Sequence, residues 1–257
     1  MGEVTSYAPG TPAWVDLSTS DPEGARAFYR ALFGWELEIG PDETGNYTMC
    51  LLDGLPVAGM NGQPAPDGMA PQWLTYLATE DADAAAQRVT AHGGQLTMGP
   101  VDAGPAGRVV VLQDPAGALL GLWEAGEHLG AARVNEPGAV TWNELVTSDL
   151  AQAQEFLSAL YPYAWDDEDT GESGPAYRTF AVGGRPVGGV MQRPSTDLAP
   201  HWLTYFAVAD AEAAAASAER HGATVAVPPT PTRYGTYARL TDPQGGVFAV
   251  IAGDPQG

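Results

Sequence analysis

The chain opens on an alternating segment, with Val15 and Leu17 on one face and Trp14, Asp16 and Ser18 on the other. That is the period-two spacing of a strand. Ser20-Asp21-Pro22 follows as a helix start, a capping aspartate with proline inside the first turn. Ala25, Phe28, Tyr29, Leu32 and Phe33 then recur as one apolar stripe, which predicts a helix to about Phe33. Three short strands are predicted next, around 35–39, 47–52 and 57–60. The same order then returns: a strand over 73–79, a helix over 81–92, and strands near 95–98, 108–113 and 118–124. Asp114-Pro115-Ala116-Gly117 is a tight turn between the last two.

The second half of the chain repeats the first. Trp14 to Asp21 matches Trp142 to Asp149 at an offset of 128. Tyr47-Thr48-Met49-Cys50 matches Tyr177-Arg178-Thr179-Phe180, and Gly54 to Met60 matches Gly184 to Val190, both at 130. Trp73-Leu74-Thr75-Tyr76 matches Trp202-Leu203-Thr204-Tyr205 at 129, and Asp114 to Gly117 matches Asp242 to Gly245 at 128. The chain is therefore a tandem duplication with a junction near 125–137, giving one half over 1–128 and another over 129–257. Each half holds two βαβββ units, an α+β architecture of four units in all. Proline-rich connections are expected at 62–71 and 192–200.

Composition narrows the partners. Acidic residues number 32 against 11 basic ones, a formal charge of −21, and every basic residue is arginine. Nucleic acid and anionic membrane surfaces are excluded as expected partners, since both are bound through clustered cations. A single cysteine, Cys50, rules out an intrachain disulfide framework, and with no basic, apolar leader at the start it points to the cytoplasm. Cys50 is matched by Phe180 and reads as a core residue.

Several motifs carry a family resemblance: Ser20-Asp21-Pro22, Ala27-Phe28-Tyr29, Leu32-Phe33-Gly34-Trp35, and the closing Asp114-Pro115-Ala116-Gly117. Ser148-Asp149, Glu155-Phe156-Leu157 and Asp242-Pro243-Gln244-Gly245 repeat them, while Tyr161-Pro162-Tyr163 departs where Phe-Gly-Trp is the pattern. Across its whole length the chain resembles the vicinal oxygen chelate superfamily of glyoxalases, bleomycin-resistance proteins and extradiol dioxygenases. Within it, the chain is similar to the two-domain actinobacterial glyoxalase-like or hydroxylase-like group. The resemblance implies two tandem domains with curled sheets, outer helices and a ligand cavity inside each.

It also implies metal-ligand positions, and this chain departs from all of them. The first-strand ligand falls on Trp14 and Trp142, the second-unit ligand on Leu74 and Leu203, and the glutamate after the Asp-Pro-X-Gly turn on Gly121 and Ala249. The position near Met60 and Val190 offers no carboxylate or imidazole. Indoles, aliphatics and glycine cannot replace N/O ligands, so no metal or other cofactor is expected.

With the sheets curled as the resemblance implies, strand alternation places Trp14, Asp16, Tyr76 and Trp123 towards the first cavity. It places Trp142, Glu144, His201 and Tyr205 towards the second. Gly121 and Ala249 are expected to leave room for a ligand. Trp14, Tyr76, Trp123, Trp142 and Tyr205 are the candidate ligand-binding residues, and Asp16, Glu144 and His201 the candidate catalytic ones. Asp16 and Glu144 either act as general acid, base or ligand anchor in an aromatic cavity, or bond an arginine such as Arg108. His201 is either a proton shuttle beside Glu144 and Tyr205 or a polar residue opening a strand. Trp73 and Trp202 point to the helix side as core. His92 and His221 read as helix-end residues, and His128 lies in the linker.

Two kinds of function follow. One is a metal-free binding protein that shelters or sequesters a small aromatic or cationic organic molecule, in antibiotic resistance or natural-product biosynthesis. The other is a metal-independent enzyme using the cavity carboxylates; a metal enzyme with relocated ligands ranks below both. The resemblance implies that two paired units complete a cavity, which a tandem chain can supply internally, so a monomer or weak homodimer is expected.

Overall fold

A computed structural model describes residues 3–62, 70–171, 174–193 and 199–253. The expected connections at 62–71 and 192–200 lie largely outside the described residues. The first unit comprises β1 (Pro12–Ser18), α1 (Pro22–Phe33), β2 (Glu36–Ile39), β3 (Thr48–Leu52) and β4 (Leu55–Met60). The second comprises β5 (Gln72–Thr79), α2 (Ala82–Ala91), β6 (Gln95–Asp102), β7 (Gly107–Gln113) and β8 (Leu119–Ala125). The third comprises β9 (Val140–Thr147), α3 (Leu150–Leu160), β10 (Ala164–Glu168), β11 (Tyr177–Val182) and β12 (Arg185–Gln192). The fourth comprises β13 (His201–Ala207), α4 (Ala211–Arg220), β14 (Thr224–Thr232), β15 (Gly235–Thr241) and β16 (Val247–Gly253).

The helix starts are set by one device used four times. Asp21, Asp81, Asp149 and Asp210 each accept a hydrogen bond from the backbone N–H three residues on, at 2.9–3.0 Å. His92 and His221 sit at the C-caps of α2 and α4, as helix-end residues. α1 stops at Gly34, whose φ of 75° is left-handed. One strand outruns its expectation: β6 continues past Met98 to Asp102, with register shifts along its pairing with β7.

In each unit the helix carries the chain across the sheet, so first and fourth strands pair parallel: β1·β4, β5·β8, β9·β12 and β13·β16. The remaining strands add as antiparallel hairpins. The two units of a half join through an antiparallel pair, β1·β5 in one and β9·β13 in the other. The result is two curled eight-stranded sheets, ordered β2-β3-β4-β1-β5-β8-β7-β6 and β10-β11-β12-β9-β13-β16-β15-β14. A parallel bridge, Val247 opposite Gln72, connects them.

Both large cores mix residues from the two halves. One packs Ala82, Ala86 and Val89 of α2 with Leu150, Phe156 and Leu157 of α3, over Leu120, Leu122, Phe180 and Trp202. The other packs Phe28 and Tyr29 of α1 with Ala215 and Ala218 of α4, over Trp35, Cys50, Trp73, Phe206 and Phe248. Trp73, Trp202 and Cys50 are thus core residues, and burial pushes the Cys50 thiol well above its ordinary range. Polar links cross between halves as well: Tyr29 Oη donates to Asp242 (2.8 Å), Tyr163 Oη to the Gly10 carbonyl (2.6 Å) and Thr75 Oγ1 to Asn143 Oδ1 (2.9 Å).

Candidate ligand site: two matched cavities, one filled and one open

The inner faces of the two sheets carry the same constellation. In the first half, β1 places Trp14 and Asp16 two residues apart, and β5 sets Tyr76 opposite Trp14 and Leu74 opposite Asp16. Trp14 Nε1 donates to Tyr47 Oη at 2.9 Å; Tyr47 Oη and Tyr76 Oη both donate to Asp16 Oδ2, at 3.2 and 3.1 Å. In the second half, β13 sets Tyr205 opposite Trp142 and Leu203 opposite Glu144. Trp142 Nε1 donates to Tyr177 Oη at 2.9 Å, Tyr205 Oη donates to Glu144 Oε1 at 3.4 Å, and Tyr177 also hydrogen-bonds Glu144.

Two glycines make this possible. Gly59 pairs with Asp16 and Gly189 with Glu144. A Cβ at Gly59 would lie 1.8 Å from Tyr47 Oη, and one at Gly189 would lie 2.0 Å from Tyr177 Oη. The missing methyls are where the phenols reach their carboxylates. Burial pushes Asp16 up to about 6 and Glu144 up to about 7, against the pull of the phenol hydrogen bonds on each. Arg239 adds a lowering influence on Glu144 alone. Arg108 takes no part: it pairs with Asp83, Asp102 and Glu124.

The halves differ in what fills the space above. In the first, the linker after β8 lies across the aromatic floor. The backbone N–H groups of Glu127 and His128 bond Pro105 and Ala106, and Ala131 N–H bonds the Ala13 carbonyl. His128 stands edge-on to Trp14 with ring centroids 4.5 Å apart, and its carbonyl accepts Trp123 Nε1 at 2.8 Å. Trp14, Tyr76, Trp123 and Ala131 form one packed cluster. Gly121 leaves no room for a ligand, contrary to expectation. A Cβ there would lie 2.1 Å from the Tyr76 ring, so the space beside it is already used.

In the second half a cavity of about 420 Å³ stands open. Trp142, Glu144, Tyr177, Tyr205, Tyr237 and Ile251 line it, and Glu168, Arg233 and Tyr234 stand at its rim. The Arg233-Tyr234 turn between β14 and β15 reaches over to the end of β10: Arg233 ion-pairs Glu168, and Tyr234 Oη donates to Glu168 Oε2 at 3.0 Å. Ala249 is also corrected, since it is fully buried against Val146 and Leu203 instead of bordering the cavity.

Of the expected site residues, Trp142, Glu144 and Tyr205 are brought together around the open cavity. Trp14, Asp16, Tyr76 and Trp123 are brought together in the filled half. His201 does not join Glu144 and Tyr205: it begins β13 opposite Val146, and its Nδ1 lies 2.9 Å from the Ala199 carbonyl oxygen. The reason is register, because Leu203 stands between His201 and Tyr205 on the same face. Burial, Arg239 and Arg193 hold its imidazole below the usual histidine range.

Sequence reasoning missed Tyr47 and Tyr177 as site residues, although their repeat match was a signal. It also missed Tyr237, which strand alternation puts on the face of Tyr205's neighbours. Glu168, Arg233 and Tyr234 left no sequence signal, because a turn brings them together. Among the described residues no group of three or more His, Cys, Asp or Glu side chains converges. Glu144 is surrounded by an indole N–H and phenols that burial keeps protonated, which are donors. These residues do not fit a divalent-metal centre.

The chain can now be set beside known proteins. It is 41% identical to CFP32 of Mycobacterium tuberculosis over 100% of both chains. It is 37% identical to the anthracycline biosynthesis protein DnrV of Streptomyces peucetius, over 96% of this chain and 95% of that one. Among solved structures, the Mn(II)-bound glyoxalase of Novosphingobium aromaticivorans shares the fold with a TM-score of 0.67 at 17% identity, covering 94% of this chain and 81% of its own. The 2,3-dioxygenase LapB of Pseudomonas sp. KL28 does so with a TM-score of 0.69 at 14% identity, covering 98% and 95%. The family model matches twice, over residues 11–122 and 139–250, and with the duplicated units and curled sheets above it places this chain in the Glyoxalase/Bleomycin resistance protein/Dioxygenase superfamily.

Proposed function

We propose that this protein binds a planar aromatic molecule in its second cavity, without a metal, and shelters or sequesters it. The setting is natural-product biosynthesis or antibiotic resistance. One observation carries the reading: of two matched constellations, the first is covered by the chain's own linker, while the second faces about 420 Å³ of space walled by aromatic rings. That volume lies within the range of small-molecule sites. Trp142 and Tyr205 offer ring faces and edges. Glu144, the one carboxylate at the floor, meets a hydrogen-bond donor of the ligand, a hydroxyl or a protonated amine. The similarity to an anthracycline biosynthesis protein supports a fused-ring ligand. In this reading the protein acts in the cytoplasm as a monomer or weak homodimer.

The test is a tryptophan-fluorescence titration with anthracyclines and simpler anthraquinones. Saturable quenching is expected, lost in Trp142→Phe and retained in Trp14→Phe. Quenching that survives unchanged in Trp142→Phe sinks the reading.

A second reading is favoured by Glu144 itself. A carboxyl pushed up to about 7 beneath an apolar cavity is poised to give or take a proton near neutrality. Turnover of a bound aromatic that survives EDTA, and is abolished in Glu144→Gln while binding persists, would select a metal-independent enzyme over a binding protein.

A further inference from the structure

Beyond the lining of the open cavity, on the inner face of the same sheet, lie two arginines and a histidine. On β15, Arg239 lies two residues from the cavity-lining Tyr237 and so on the same face; it pairs with Ala249, which in turn pairs with Tyr205. On β13, His201 lies four residues from Tyr205 and again shares its face. Arg193 directly follows β12, four residues beyond Gly189, the partner of Glu144. Its backbone N–H bonds the Thr147 carbonyl at 2.9 Å, which fixes it at the end of β9. The charge of Arg239 bears on both Glu144 and His201, and that of Arg193 on His201.

Arg193 and Arg239 stand among the described arginines that hold no carboxylate. Arg108, Arg133, Arg178 and Arg233 each ion-pair a carboxylate. Among the described residues neither Arg193 nor Arg239 does, and the Nε and Nη1 of Arg193 are buried without any hydrogen-bond partner. Glu144 does not fill the role, since its oxygens are engaged by Tyr177 and Tyr205. The filled half gives an internal comparison: the positions matching Arg239 and His201 hold Val111 and Gln72. The Arg239 guanidinium and the His201 imidazole therefore belong to the second half and not to the repeated fold.

We propose that Arg239 and Arg193, beside His201, form an anion-receiving subsite at the Glu144 end of the second cavity, and that the ligand is a planar aromatic carboxylic acid. This rests on the aromatic reading of that cavity. A guanidinium receives a carboxylate through parallel N–H donors, and a partly buried arginine with free donors is suited to that fork geometry. The aromatic body then lies along Trp142 and Tyr205, with its acidic group at Arg239.

The test compares anthraquinone-2-carboxylate with its methyl ester by fluorescence titration. In the unsubstituted protein the acid should bind at least about tenfold tighter, the size of one charge-assisted contact. Arg239→Met should abolish that preference while leaving the ester's affinity within about twofold. Arg239→Lys, which keeps the charge, should restore part of it and shows that any loss is not misfolding. Arg193→Gln should reduce the preference by a smaller factor. Equal binding of acid and ester, or a preference unchanged in Arg239→Met, overturns the subsite and leaves the aromatic site standing. Failure of both probes to bind overturns the aromatic reading and the subsite with it.

Discussion

Glu144 is held between opposing effects: burial raises its proton affinity, and phenol donors with Arg239 lower it. The balance leaves it up from 4.5 to about 7, so the folded state holds this proton more tightly than the unfolded chain. The sign follows. Its contribution to stability is fullest below pH ~4.5 and is lost as pH rises through about 7, after which it is constant. Glu144→Gln should therefore flatten the stability profile over that window, gaining roughly 3 kcal/mol relative to the parent between pH 4.5 and pH 8. Urea unfolding at the two pH values measures it, and parallel profiles would refute it. Gly189 is the companion case. Gly189→Ala places a methyl against Tyr177 Oη and should displace the phenol from Glu144, costing ~1–3 kcal/mol and weakening ligand binding. A crystal structure with Tyr177 unmoved would contradict this.

At the scale of elements, two connections determine which cavity is accessible. The β14–β15 turn ties Arg233 and Tyr234 to Glu168 on β10, a clasp at the rim of the open site. Glu168→Gln together with Tyr234→Phe should speed ligand dissociation several-fold in stopped-flow displacement while leaving the fold intact, because rim contacts of this kind are individually weak. An unchanged rate would show that the ligand leaves by another route. The linker does the opposite in the first half, where His128 covers Trp14. His128→Ala should lower stability by about 1 kcal/mol, the value of one aromatic contact, without altering Trp142 quenching by an aromatic ligand. Strand alternation made both tryptophans legible as inward-facing residues. It could not tell which one a ligand reaches, because the covering ring arrives from a linker with no periodicity to read.

At the scale of the molecule, neither half owns a large core. α1 packs with α4 and α2 with α3, and the cores beneath them draw on all four units. The chain should therefore unfold in a single cooperative transition, with fluorescence and circular dichroism coincident. Residues 1–128 expressed alone should fail to fold, since half of each core would face water. Separate transitions, or a folded isolated half, would disprove the mixed cores. The surplus of acidic residues favours solvation of the surface over self-association.

The sequence by itself determined the duplication, the four βαβββ units, the capping Asp21 and the inward phase of Trp14, Asp16, Trp142 and Glu144. These follow from local rules: alternation, helical spacing and N-cap chemistry act within a few residues. Tertiary structure decided that His128 fills one cavity, that Tyr76 takes the space beside Gly121, and that His201 stands apart from Glu144 and feels the charges of Arg193 and Arg239. Those outcomes depend on which distant segments share a volume, and a close-packed interior gives each volume to one occupant only.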